Sequence, residues 1–240
     1  MSEMPLVIAK NIVKTYQVGT LEAPALRSVD IEIESGEFLA IVGPSGSGKT
    51  TLLNLLGLLD TASAGELHVL GKNVTKLSRR ERAELRLQSL GFVFQSYNLV
   101  PVLTALENVE FVLELQGLGS ERTARAKAIL TELGLSEFAG RRPKELSGGQ
   151  QQRVAVARAV ASRPRLVLAD EPTANLDGEN AEMLLDMMRR LNNEHGITFV
   201  FSTHDPRVVS HANRVVTLVD GRVSEDIRKE GSSAAATASD

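Results

Sequence analysis

Residues 38–59 read FLAIVGPSGSGKTTLLNLLGLL, and few folds accept that order of patterns. FLAIVG (38–43) is a short unbroken apolar run, as expected of a strand buried on both faces. TTLLNLLGLL spaces its leucines as a helix does. Between them, GPSGSGKT (43–50) supplies Gly43, Gly46 and Gly48, which allow close approaches that side chains would block. A strand, a glycine loop and a helix in this order aim successive N–H groups inward at the positive end of a helix, which makes an anion cradle. Lys49 then reaches the outer phosphates of a nucleotide as a point charge, and Thr50 offers a hydroxyl to Mg²⁺.

LVLAD (166–170) is a second apolar strand, and it ends in Asp170, Glu171 and Pro172. Adjacent strand residues face opposite sides, so the two carboxylates take different jobs: Asp170 in the Mg²⁺ shell, Glu171 towards an attacking water. Pro172 biases Glu171 towards an extended backbone. LSGGQQQR (146–153) is a third marker. Ser147 is a good helix N-cap, Gln150 follows it as in a capping box, and Gly148 and Gly149 leave backbone N–H groups bare at a helix start. This is a second anion site in one chain.

Around these markers, LVIAKNIVKTY (6–16) and ALRSVDIEIESG (25–36) alternate as strands, and ELHVLGKNV (66–74) reads as a hairpin or short strand pair turning at Gly71. From about 78 to 162 the pattern turns helical, which predicts a helical subdomain inserted into the core. Strand and helix then alternate through ITFVFST (197–203) and RVVTLVDGRV (214–223), which argues for a mainly parallel sheet covered on both sides. The tail GSSAAATASD lacks apolar periodicity and is expected to be disordered. The division expected is one domain over 1–230, with core 1–94 and 163–230, helical subdomain about 95–162, and tail 231–240.

Composition narrows the partners. The net charge of −3 and the scattered Arg pairs, mixed with Glu, argue against a nucleic-acid partner. There is no cysteine, so disulfides and thiolate metal sites are excluded. No signal peptide is visible, and the longest apolar run, near 52–60, is far short of the ~20 residues of a membrane helix. No direct membrane insertion is expected. His68, His195 and His211 have no motif around them, and their spacing gives no metal site.

The three markers, in their order along the chain (43–50, 146–153, 166–171), resemble the ATP-binding cassette (ABC) ATPases over roughly residues 5–225. The fold this implies is an α/β P-loop NTPase: a mainly parallel core sheet, an N-terminal antiparallel β subdomain and an inserted helical subdomain. By the same resemblance, Tyr16 is the aromatic that stacks on adenine, and Gln95 in FVFQSYN senses Mg²⁺ and the transporter subunit. Asp177 in NLD (175–177) crosses a dimer seam, and His204 contacts the γ-phosphate. The resemblance implies a head-to-tail homodimer with ATP at the seam. Each nucleotide is held by Tyr16 and by Gly43, Pro44, Ser45, Gly46, Ser47, Gly48, Lys49, Thr50 and Thr51, and is closed by Ser147, Gly148, Gly149, Gln150 and Asp177. Thr50, Gln95 and Asp170 hold the metal, and Glu171, His204, Lys49 and Gln95 carry catalysis.

Within the family, QSYNLVPVLTALENV (95–109) resembles the lipoprotein-release, macrolide-efflux and cell-division group (LolD, MacB and FtsE types). That implies a separate integral membrane permease, a groove in the helical block around 95–120 for its coupling helix, and a cytoplasmic place at the inner membrane face. A polar amino-acid importer ATPase shares the catalytic motifs, and a soluble non-transport ABC ATPase is the remaining alternative. The roughly hundred residues between the first and third markers hold no sustained heptads, which disfavours a chromosome-type member.

Overall fold

The structure is a computed structural model and describes residues 4–229; the expected tail lies outside them. Strands β1 (Val7–Val18) and β2 (Leu21–Ile33) pair antiparallel. β3 (Phe38–Val42) leads through the glycine loop into helix α1 (Lys49–Leu56). The hairpin β4 (Ala64–Val69) and β5 (Lys72–Asn73) turns through Leu70 and Gly71, both at positive φ, as a tight two-residue turn requires. These strands form a four-stranded antiparallel sheet in the order β2-β1-β4-β5.

Helix α2 (Arg79–Ser89), opened by a Ser78–Glu81 capping box, runs into strand β6 (Leu90–Val93). The sequence pattern gave 78–162 as helical throughout, and β6 corrects it. Four residues carry no period of their own; what makes them a strand is parallel pairing with β7 (Leu166–Asp170). Helices α3 (Ala105–Leu115), α4 (Glu121–Glu132) and α5 (Gly148–Ala161) follow β6. After β7 come α6 (Gly178–His195), β8 (Thr198–Ser202), α7 (Pro206–His211), β9 (Arg214–Val219) and β10 (Arg222–Arg228). The second sheet has the order β10-β9-β3-β8-β7-β6, parallel except for the β9–β10 edge pair.

Alternation along the central strands divides the interior in two. Phe38, Ala40, Val167, Ala169, Phe199 and Phe201 face one apolar cluster; Leu39, Ile41, Leu166, Leu168 and Val200 face the other. The first is shared with α3–α6, so the helical block packs on the sheet through a common core. The second is shared with α1 and the antiparallel sheet. The Phe38 ring lies 4.6 Å from Phe201 and 5.6 Å from Phe199, and each such ring contributes about 1.5–3 kcal/mol by leaving water. Buried Arg214 ties the lower edge together, donating to Asp226, Glu37 and the carbonyl of Glu32. A cation shared among three residues in this way is invisible in sequence.

Candidate functional site: the phosphate-loop cleft

The upper ends of β3, β7 and β8 deliver their functional residues to one cleft of about 600 Å³. It is lined by Gly43, Pro44, Ser45, Gly46, Gly48, Lys49, Thr50, Thr51, Gln95, Glu171, Ser202 and His204, with Ala25 at its edge. The loop needs glycine at two points. At Gly43 (φ 146) a Cβ would sit 2.0 Å from the Leu218 carbonyl oxygen, and at Gly48 (φ 103) 2.6 Å from that of Ala25. Gly48 also caps α1 without a side chain, which leaves the helix start open to the cleft. The Lys49 ammonium donates to the carbonyls of Gly43 and Pro44. Ser47 lies beneath the loop with its hydroxyl buried and unpaired among the described residues.

Asp170 ends β7, and its Oδ1 accepts from the Thr50 hydroxyl at 3.3 Å. Adjacent hard oxygens of this type, with the Gln95 side chain on the same cleft, fit Mg²⁺. Glu171 is oriented differently from expectation. Its φ is 46°, in the left-handed region, and not extended. The ladder ends at Asp170↔Ser202, and the chain must turn there, while Pro172 bars the right-handed alternative. The Glu171 N–H still reaches the Ser202 carbonyl at 2.8 Å. Its carboxylate is gripped on both oxygens, by the Thr203 hydroxyl at 3.2 Å and by His204 Nδ1 at 2.6 Å. So the two acids do part company, through a turn and not through strand alternation. Below them, Asp205 accepts from Thr173 and Arg207. Burial raises its pKa, but these hydrogen bonds outweigh burial and hold it down at about 2.

Tyr16 does not line the cleft. It stands beside it on β1, donating its hydroxyl to Asp60 at 2.9 Å with the Lys14 ammonium 4.7 Å from the ring centre. Burial pushes its phenol up. The residue remains 37% exposed, which leaves room for stacking.

Ser147, Gly148, Gly149, Gln150 and Asp177 are not brought to this cleft. Ser147 and Gln150 form the expected reciprocal capping box at the start of α5. The glycines have a packing role that the sequence does not reveal. A Cβ on Gly149 would meet Asn180 Oδ1 at 2.7 Å, and one on Gly148 would meet the Tyr97 hydroxyl at 3.0 Å. Asp177 caps α6 and holds that same Asn180, by backbone N–H and by side-chain amide. Three further residues escape sequence reasoning. Buried Gln152 donates to the Pro172 carbonyl, joining α5 to the segment after Glu171. Asn175 donates to the Gln95 carbonyl. Arg158 donates to the carbonyls of Tyr97 and Asn98. The only sequence signal was that Gln152 and Arg158 sit on a helix with unusually many small apolar neighbours. On the far side of the molecule, His195 does find partners: its ring nitrogen is 2.9 Å from Glu132, and Glu132, Glu194 and His195 place their ligand atoms within 4.8 Å of one another. Residues from α4 and α6 make that group, which sequence spacing could not show.

The ABC transporter family profile matches residues 26–174. The Caulobacter vibrioides lipoprotein-releasing system ATP-binding protein LolD 1 is 45% identical over 94% of this chain and 97% of its own length. The chain belongs to the ABC transporter family. This cassette is 46% identical to the macrolide export ATP-binding/permease protein MacB of Marinobacter nauticus over 98% of its own length, but it spans about a third of the MacB relatives it matches. Among solved structures it superposes on the Methanocaldococcus jannaschii cassette MJ0796, as a dimer in a post-hydrolysis state bound to ADP and Pi, with TM-score 0.87 and 43% identity, covering 94% of this chain and 99% of that one. It is therefore an ATP-binding ATPase cassette with the α/β architecture expected of it. Among the described residues no helix of the cassette is long and apolar enough to cross a membrane.

Proposed function

We propose that this cassette hydrolyses ATP between two copies of itself and so drives a membrane permease carried on separate chains, for export, lipoprotein release or force transmission across the membrane. The observation that carries the reading is the division of the phosphate-binding elements. The cleft holds a phosphate loop, hard-oxygen donors and a braced carboxylate, whereas the second glycine-rich helix start, 147–150, opens elsewhere. A second copy, placed head to tail, supplies the missing half. The dimeric MJ0796 cassette and the LolD and MacB relatives support this reading, and it places the cassette on the cytoplasmic face of the membrane, held there through the permease.

In this mechanism the loop N–H groups and Lys49 hold the β- and γ-phosphates, and Tyr16 covers the base. Thr50, Asp170 and Gln95 would hold Mg²⁺, which when bound neutralises phosphate charge. Glu171 takes the proton of the attacking water, a role worth about 10²–10⁴-fold in rate. His204 and Thr203 fix the direction of its lone pairs, and the exposed edge of His204 faces the γ-phosphate. Ser147, Gly148, Gly149 and Gln150 of the second copy donate from the opposite side, and that copy's Asp177 crosses the seam. Loss of the shared anion removes the differential interaction that favoured the closed pair.

Mixing tests this directly. Lys49→Ala and Ser147→Arg copies should each be inactive alone. An equal mixture forms heterodimers in which one site has both intact halves, so ATPase activity should return in part. No recovery over the separate proteins contradicts a site shared between copies. The docking surface for the permease is the groove of about 500 Å³ between α2, β6, α3 and α5, close to the Gln95 loop.

A further inference from the structure

The groove just described is mostly apolar, with Asn98 and Ser162 as neutral polar residues and two cations. Leu59, Phe92, Phe94 and Phe111 line it, with Leu59 and Phe111 nearly half exposed at its rim. Arg86 and Arg158 line it too. Each is only half-buried, and each spends its guanidinium on backbone carbonyls alone: Arg86 on Leu58 at 2.6 Å, Arg158 on Tyr97 and Asn98. Neither has a carboxylate within 4.0 Å among the described residues, while Arg207 and Arg214 elsewhere are paired. Burial lowers the pKa of both groove arginines, and for Arg86 the nearby Arg82 and Arg79 add to this. A guanidinium carries five N–H donors, so Arg158 keeps donors free after serving two carbonyls. Cations left partly desolvated without counter-charge favour an acidic occupant over a neutral one.

We propose that the segment docking here is an amphipathic helix of the membrane subunit whose apolar face carries carboxylates that pair with Arg86 and Arg158. This rests on the reading of the groove as the permease site. It also gives docking a path to the catalytic cleft. Arg158 grips Tyr97 and Asn98, two consecutive residues at positive φ, with only Ser96 between them and Gln95. A carboxylate that draws on Arg158 therefore bears on the strained turn that sets Gln95.

The test uses a stapled Ala/Leu helix of about 14 residues, since an unconstrained helix of that length is marginal in water. One version carries two glutamates a turn apart beside the apolar face, and its twin carries glutamines. Fluorescence anisotropy against the full chain should show the glutamate peptide binding about tenfold more tightly. Arg86→Met and Arg158→Met should each shrink that preference, and circular dichroism should show both variants folded. Equal binding of the twins overturns the acidic partner while leaving the groove a docking site. No binding by either overturns both. Self-association of the chain that Arg86→Met abolishes would put a second copy in the groove and overturn the proposal.

Discussion

Two glycine-rich helix starts in this chain look alike in sequence and are built oppositely. At α1 the N-cap is a left-handed glycine with no side-chain hydrogen bond, so the helix end stays open and faces a cleft already furnished with Glu171 and His204, with Asp170 bonded to Thr50 beside them. At α5 a Ser147–Gln150 box closes on itself, and the glycines are pressed against Tyr97 and Asn180. The first is a site with its chemistry assembled around it. The second is a closed, tightly packed helix start. What the contrast teaches is that the first element is furnished within its own chain, whereas the second, in the proposed dimer, would bind for another.

The largest expected effect falls on the first element. Glu171→Gln keeps the size and the hydrogen-bonding reach of the side chain but not its basicity. Phosphate release should drop by about 10²–10⁴-fold with nucleotide still bound. Turnover near wild type would move the base elsewhere. Next is Lys49→Ala, which removes a charge-assisted phosphate contact of about 1.5–3 kcal/mol. Affinity for ATP in the isolated chain should fall roughly 10- to 150-fold. Ser147→Arg, measured in the same titration, should leave that affinity alone; equal losses in both would erase the contrast between the two helix starts.

Gly149→Ala probes the second element as a surface. Its Cβ must displace Asn180 from the grip of Asp177, at an overpacking cost of about 1–3 kcal/mol. Hydrolysis should suffer while isolated-chain nucleotide binding does not, and Asn180→Ala in the same background should relieve the clash and restore folding stability. The smallest effect is acid sensitivity. Asp205 clamps Thr173, just beyond Glu171, to the segment after His204. Its folded pKa is depressed, so its contribution is present above 3.8 and is lost as pH falls towards about 2. Asp205→Asn should flatten stability across that window in an acid unfolding titration, and an unchanged slope would show that the clamp does not depend on charge.

These outcomes also mark what was readable in the chain. FLAIVGPSGSGKTT announced β3, the loop and α1 because strand period, glycine placement and helix period are local signals. The Ser147 box was equally local. Glu171 was misread as extended because its backbone is decided by where the β7–β8 ladder stops, not by Pro172 alone. β6 was missed because its identity comes from β7, more than seventy residues away. Gln152, Asn175 and Arg158 gave little or no signal for the same reason: each donates to a carbonyl that only the tertiary fold brings near.

The central claim is that residues 147–149 of one copy face the phosphate loop of another. The chain has no cysteine, so Ser45→Cys and Ser147→Cys, both at exposed positions, introduce the only thiols. In the Glu171→Gln background, a short bis-maleimide should join two chains when ATP and Mg²⁺ are added, giving a species of twice the monomer mass. Cross-linking within one chain, or the same yield without nucleotide, would contradict the account.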